Sequence, residues 1–168
     1  MKHTLISSLV ILFSFSFLYA QVEVRTFKSP DKNIIVKIIS TGNYEQAGSE
    51  SKIEIRTAKG KLLNSKSFLS KDHSHGQYIY HAEWTTDSKY FIFNSISSGG
   101  HKPGHFITYF CEENKLRELD PYVGIWITSD FKLKSHDSIT VYASARLPNG
   151  KFTDSLKKTV SLNQLVKE

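Results

Sequence analysis

Five of the seven histidines in the chain fall between His73 and His105. Imidazole is a common zinc ligand, and a zinc site needs three or four ligands that converge in space. Two separate loops would have to supply them, because the sequence contains no H-E-x-x-H motif and no helical histidine pair. Zinc is therefore an alternative, and otherwise no cofactor is predicted. The candidate metal ligands are His73, His75, His81, His101 and His105, with Asp72 as a further oxygen ligand.

Other catalytic groups lack the arrangement that their chemistry needs. Ser95, Ser97 and Ser98 are close to histidines in sequence, but no Gly-x-Ser-x-Gly elbow presents a nucleophile. Glu83 and Asp87 would stand at opposite ends of a turn, where nothing positions them as the carboxylate pair of a glycosidase. The sequence therefore favours a protein that is not an enzyme. A metal-dependent hydrolase built from the histidines is the alternative.

The loop from Ser97 to His105 is the main candidate for a binding site. Its nine residues exceed a tight hairpin turn, and long loops on rigid sheets are where binding residues concentrate. Its adjacent glycines leave backbone amides uncovered, so a partner can approach closely. We expect a small anionic ligand or a protein partner, and a wide β-arch without a partner is the structural alternative. The predicted contacts are Ser98, Gly99, Gly100, His101, Lys102 and His105, beside the segment His73–His81.

Residues 1–20 have the pattern of a secretory signal peptide. A basic start at Lys2 precedes an apolar run from Leu5 to Leu18, and the small residue Ala20 ends the segment. Serines interrupt the run, which is short for a membrane span. We therefore expect a protein of residues 21–168, periplasmic or secreted, without stable membrane insertion once the signal has been cleaved.

The number and distribution of charged residues argue against nucleic acid as a partner. The chain has 22 basic and 16 acidic residues, a formal net charge of +6 at pH 7, and Lys157-Lys158 is its only adjacent basic pair. A charge spread so evenly favours mild attraction to polyanions, not nucleic-acid binding. The single cysteine, Cys111, allows no internal disulfide, so burial must stabilise the fold. We expect Cys111 to be a small packed residue, with a reactive thiol or a disulfide between two chains as the alternatives.

Alternating and β-branched segments predict one all-β domain over residues 21–168. Apolar and polar residues alternate in Lys52–Arg56 and Asp137–Leu147, whereas Lys89–Ile96 is apolar on both faces and predicts a doubly covered strand. Helical spacing appears only in one turn that starts at Leu162. We expect about ten short, mostly antiparallel strands, arranged as a sandwich or as propeller-like sheets.

Three less regular segments also have definite predictions. Alternation in Gln77–Trp84 would place Tyr80 on the same strand face as Ala82. Val123–Thr128 and Phe131–Leu133 are interpreted as short apolar pieces around a turn, and Gly42–Ser51 is interpreted as a loop.

Two segments of the chain resemble each other and a known repeat. Ser29-Pro30-Asp31-Lys32 and Thr85-Thr86-Asp87-Ser88 each precede an apolar strand, 56 positions apart. With Trp84, the second copy resembles the W-S-P-D-G-K-Y-I-A-F blade signature of TolB-type and WD40-like β-propellers. The resemblance implies propeller-like hairpins. A closed propeller needs about four blades of about 40 residues each, so residues 21–168 are too few to form one.

The glycine loop has a resemblance of its own. Ser98-Gly99-Gly100-His101-Lys102 follows an apolar strand and is similar to the Ser-Gly-x-x-Tyr loop of the periplasmic inhibitors of invertebrate-type lysozyme. Those small exported β-sandwich proteins insert the loop into the cleft of the enzyme, so the resemblance implies a protein partner. Lys102 stands where that family has tyrosine, and the basic chain lacks the negative surface that suits a cationic lysozyme.

Overall fold

The computed structural model describes residues 22–42, 49–99, 104–119, 128–144, 149, 151 and 156–166. The predicted signal peptide, residues 1–20, lies outside these ranges, as do Gly100, His101 and Lys102 of the glycine loop. Within the same ranges, no helix is long and apolar enough to cross a membrane.

Strands dominate the described residues, as the alternating patterns predict. The strands are β1 (Val22–Lys28), β2 (Ile34–Thr41), β3 (Glu50–Thr57), β4 (Leu62–Ser67), β5 (Gln77–Trp84), β6 (Tyr90–Ser97), β7 (His105–Phe110), β8 (Lys115–Glu118), β9 (Thr128–Ser135), β10 (Ser138–Ser144) and β11 (Leu156–Ser161). The predicted turn of helix at the end of the chain is a 3-10 helix, Leu162–Val166. The all-β prediction is confirmed.

The strands form three antiparallel sheets in chain order. The first sheet is β1-β2-β3-β4, the second is β5-β6-β7-β8, and the third is β11-β10-β9. Each sheet is a meander, because strands that follow one another in sequence are hydrogen-bonded neighbours. The described sheets are open, so the prediction of propeller-like sheets without a closed propeller is confirmed.

The second sheet lies between the other two and is buried on both faces. On β6, Phe91 and Phe93 pack into a cluster with the first sheet, while Tyr90 and Ile92 pack into a cluster with the third. Every residue of β6 from Tyr90 to Ser95 is buried. Burial on both faces explains why this strand lacks polar alternation, and it confirms the prediction of a doubly covered strand.

The two similar turns fold alike. Ser29 Oγ lies 2.5 Å from a carboxylate oxygen of Asp31, and Thr85 Oγ1 lies 2.7 Å from one of Asp87. The turns also touch, because the backbone N–H of Asp31 donates to Ser88 Oγ at 2.9 Å. The turn between β9 and β10 shares only the serine-to-aspartate hydrogen bond, in which Ser135 Oγ donates to Asp137 at 2.7 Å. It is shorter than the other two turns, because β10 begins at Ser138.

Lys32 occupies a backbone conformation that favours glycine. Its φ is +63°, and Ser88 has a φ of +64° at the equivalent position of the second turn. The left-handed region costs a residue with a Cβ about 1–2 kcal/mol. Because glycine also loses more backbone entropy on folding, we expect Lys32→Gly to stabilise the fold by only about 0.5–1 kcal/mol. Urea denaturation measures this, and Lys32→Ala, which keeps the Cβ, should give no stabilisation.

A β-bulge in β5 corrects one sequence prediction. The pairing of β5 with β6 shifts between Ile79 and Ala82, and both of these side chains pack into the same cluster. Tyr80 is 43% exposed instead of sharing a face with Ala82. An extra residue in one strand reverses the alternation beyond it. Arg25 of the first sheet donates to the carbonyl oxygens of Ile79 and Tyr80. The first sheet therefore supplies hydrogen-bond donors to the two backbone carbonyl groups in the bulge.

Two predicted strand limits are also wrong. The turn expected between Thr128 and Phe131 is part of β9, which pairs with β10 along its whole length. Ser129 and Asp130 favour a turn, but their backbones pair with β10 and continue the strand. The loop predicted for Gly42–Ser51 ends earlier, because β3 begins at Glu50.

Cys111 matches the interpretation as a packed residue. It is half-buried and packs against the cluster between the first and second sheets. Burial raises the pKa of its thiol to about 12, helped by the negative charges of Asp31 and Asp87. Because the thiolate is the reactive form of cysteine, this environment opposes a nucleophilic role for Cys111.

Candidate functional site

A buried carboxylate organises the histidine-bearing linker between β4 and β5. Glu50 is 0% exposed and accepts hydrogen bonds from Ser70 Oγ at 2.5 Å, Ser70 N at 2.8 Å and Gly76 N at 2.6 Å. Burial alone would raise the pKa of Glu50, but these hydrogen bonds lower it below its ordinary value. The linker is therefore fixed at both ends to one anion on β3.

A second carboxylate orients a histidine in this linker. Asp72 Oδ2 lies 2.5 Å from Nδ1 of His75, and Asp72 Oδ1 lies 2.7 Å from Ser70 Oγ. Hydrogen bonds from Ser70 and His75 hold the pKa of Asp72 well below its usual range. No hydrogen bond links Nε2 of His75 to any other described residue. The ring is thus fixed through Nδ1.

The linker and the glycine loop are in direct contact. Ser98 Oγ donates to the carbonyl oxygens of Ser74 at 2.9 Å and Gly76 at 3.0 Å, and Ser98 N also donates to Gly76 at 3.0 Å. The two segments that the sequence marked as neighbours therefore meet at one end of the second sheet. Of the six predicted loop contacts, the described residues include Ser98, Gly99 and His105.

A groove of about 340 Å³ opens beside this contact, between the first and second sheets. Its apolar part comes from Phe68, Leu69 and the buried Ile107. Its polar rim brings together His75 of the linker and His105 of β7. The remaining polar lining consists of Lys66, Ser70, Gly76, Gln77 and Glu118. Lys66 of the first sheet and Glu118 of the second form a 3.0 Å ion pair. These two opposite charges at the rim of the groove therefore neutralise each other.

His73 and His81 are placed differently from the two histidines of the groove. The ring of His73 is 72% exposed, with Nδ1 4.0 Å from Glu50, and it does not line the groove. His81 stacks on Phe131 of the third sheet at 4.3 Å and contacts Asp130 at 2.6 Å. It therefore lies at the junction of the second and third sheets, whereas His105 lies at the junction of the first and second.

The structure brings together part of the proposed metal set. His75 and His105 share the groove, His81 is elsewhere, and His101 is outside the described residues. Among the residues that are described, no group of three or more His, Cys, Asp or Glu side chains is placed to hold a metal ion. The zinc site therefore stays a prediction.

Sequence reasoning missed the residues that position the site. Glu50 fell in a segment interpreted as loop, and nothing in its sequence neighbourhood marks it as buried. Gln77, Lys66 and Glu118 belong to ordinary alternating strands, so their meeting depends on how the first two sheets stack. The length of the two loops was the signal for a candidate site, and the structure places these two loops in contact at one end of the second sheet.

Comparisons with solved structures find two that are similar to much of this chain. An acylaminoacyl peptidase in complex with Z-Gly-Gly-Phe-chloromethyl ketone is similar over 76% of this chain and 18% of its own, with 13% identity and a TM-score of 0.47. The β-propeller domain of the Trilobed protease from Pyrococcus furiosus is similar over 84% of this chain and 58% of its own, with 11% identity and a TM-score of 0.32. No family model and no curated protein matches the chain.

Proposed function

We propose that the chain is an exported, non-enzymatic binding module whose site is the groove between the first two sheets. The observation that carries this proposal is the hydrogen bonding of Ser98 to Ser74 and Gly76, which joins both predicted binding segments beside the groove. Concave sites with an apolar floor and a few polar groups are typical of small-molecule binding, and about 300–1,000 Å³ is their usual size. Export rests on the signal pattern of residues 1–20.

The ligand we propose is a small anion with an apolar part. The amide nitrogen of Gln77 can donate to the anion, because the Gln77 oxygen already accepts from Ser95 Oγ at 2.8 Å. His75 donates to Asp72 through Nδ1, so its Nε2 donates to the anion when the ring is protonated. Phe68 and Ile107 would cover the apolar part. Glu118 is paired with Lys66, which reduces its repulsion of an anion.

Paired histidine variants test this proposal. Isothermal titration with phosphate, citrate and benzoate should detect binding, and His75→Ala with His105→Ala should weaken it at least about tenfold, as expected for two lost hydrogen bonds. His136→Ala is the matched control, because His136 is exposed in the turn between β9 and β10. Equal affinity of the double variant and the control would refute a site in this groove.

A divalent metal at the same groove is a second proposal, which Asp72 supports. Metal-bound histidines usually donate their other ring nitrogen to a carboxylate, and Asp72 occupies that position beside His75. Asp72→Asn should then weaken zinc binding about 10–100-fold, as measured by competition with a chelating dye. If zinc leaves the melting temperature of the parent protein unchanged, the metal proposal fails.

The lysozyme-inhibitor resemblance gives a third proposal, in which the partner is a protein and the glycine loop enters its cleft. Gly99 begins the part of that loop that would approach the partner most closely. An inhibition assay with invertebrate-type lysozyme tests this, with Gly99→Trp as the blocked form. Equal inhibition by the parent and Gly99→Trp would exclude insertion of the loop.

A further inference from the structure

The first sheet has one face that no other described element covers. Its inner side chains, such as Val36 and Ile53, pack against the second sheet, so the residues that alternate with them point away from it. We call this side the outer face of the first sheet. Strand pairing assigns its members, which are Val22, Val24, Thr26, Lys28, Ile35, Lys37, Ile39, Thr41, Glu50, Lys52, Glu54, Arg56, Leu62, Ser65 and Ser67. Only Glu50 among them is covered, because Ser70 and Gly76 of the linker bind its carboxylate.

This outer face concentrates exposed apolar side chains. The described residues include five large hydrophobic side chains that are exposed, and three of them lie here. Val22 is 57% exposed and Val24 is 53% exposed, and both lie on β1. Leu62, 47% exposed, lies apart from them on β4, at the opposite edge of the sheet. Val24 is paired with the half-buried Ile39, which extends the apolar strip from β1 onto β2. Clustered exposed hydrophobic residues mark interaction surfaces, whereas single ones need no explanation.

The same face is strongly basic. Its cations are Lys28, Lys37, Lys52 and Arg56, and its carboxylates are Glu54 and the buried Glu50. Glu54 is held by Lys52 at 2.7 Å and by Arg56 at 2.9 Å, which also lowers the pKa of Glu54. Four cations against two carboxylates, one of them buried, leave a local excess of positive charge beside the apolar strip.

We propose that the outer face of the first sheet docks on an anionic lipid surface. Apolar side chains that insert at the headgroup boundary, with flanking lysine and arginine at the phosphates, are the combination that binds proteins to such membranes. A second copy of the chain fits less well, because two of these faces would repel each other. On the outer face of the third sheet, Lys157 pairs with Tyr142 and Lys132 lies 6.0 Å from its ring, against the one described carboxylate, Asp130. The described part of that face therefore offers no acidic complement either.

The test is co-sedimentation of the full chain with vesicles. Vesicles of phosphatidylcholine with 30% phosphatidylglycerol should bind the protein in 50 mM salt, and vesicles of phosphatidylcholine alone should bind it at least about tenfold less. High salt should release the protein, because the screening length falls to about 3 Å at 1 M. The apolar segment Leu5–Leu18 is the same in every variant, so it cancels when variants are compared with the parent.

Matched variants distinguish docking through the outer face of the first sheet from attraction due to the net positive charge of the whole protein. Val22→Ser with Val24→Ser should reduce binding to anionic vesicles about tenfold or more, since both are exposed and neither supports the core. Lys132→Gln with Lys157→Gln on the third sheet should weaken binding less than Lys28→Gln with Lys37→Gln, which removes the same charge from the outer face of the first sheet. Equal losses from the two lysine pairs, or no loss from the valine pair, would overturn the proposal. So would a dimer, detected by sedimentation, that only the valine pair dissociates.

Discussion

Glu50→Ala is expected to destabilise the protein by about 2–4 kcal/mol and to release the linker that carries His75. The carboxylate is fully buried and accepts hydrogen bonds from Ser70 and from the backbone of Gly76. Alanine would leave the backbone N–H groups of both residues without their acceptor and open a cavity between β3 and the linker. Urea denaturation measures the loss, and hydrogen exchange should show lost protection at Ser70 and Gly76.

The pH dependence of the free energy of unfolding gives an independent measure of how much the Glu50 carboxylate contributes to stability. The pKa of Glu50 is lower in the folded protein than its ordinary value of 4.5. The unfolded chain therefore binds more protons in that pH range, so the contribution of Glu50 is complete above about pH 4.5. That contribution is lost as the pH falls through the lowered folded pKa.

Glu50→Gln is the control, because it retains the size of the side chain but does not titrate. Its free energy of unfolding should fall less than that of the parent between pH 5 and pH 3. Asp31, Glu54 and Asp137 also have lowered pKa values, and they are the same in both proteins, so their effect cancels in the comparison. Asp72 shares the single hydroxyl proton of Ser70 with Glu50, so Asp72→Asn is introduced into both proteins. Parallel pH profiles for the parent and Glu50→Gln would show that Glu50 is not the charged anchor of the linker.

The fold was predictable wherever one strand face is consistently buried. Ile53 and Ile55 alternate with charged residues, and both are fully buried beneath the second sheet. Lys89–Ile96 lacks alternation because its strand packs on two sheets, and this too could be inferred from the residues alone. Such patterns are local, so a single sequence contains the information that they need.

The site was less predictable because its residues meet only through stacking of the sheets. Lys66 of β4 reaches Glu118 of β8, 52 positions further along the chain, and no local pattern pairs them. The bulge at Tyr80 turns His81 toward Asp130 and away from His105, although an unbroken alternation was expected there. Loop length showed where binding could occur, whereas the choice of histidines depended on register.

Gly76→Ala is the second change with a large expected effect. A Cβ at this position would lie 2.6 Å from the carboxylate of Glu50 and closer still to the carbonyl oxygen of Phe68. The carbonyl belongs to the backbone and cannot rotate away, so the linker itself must move. We expect a loss of about 2–4 kcal/mol in the free energy of unfolding, as for other overpacked buried sites.

Gly60→Ala separates this steric effect from an ordinary turn effect. A Cβ at Gly60 would meet no atom within 4 Å, although the backbone there has a φ of +90°. Its cost is therefore conformational, about 1 kcal/mol. Gly76→Ala should cost more than this, and it should also reduce ligand affinity at the groove, because Gly76 lies between Glu50 and Ser98. If the two variants lose the same stability and only Gly60→Ala changes affinity, the linker does not determine the shape of the groove.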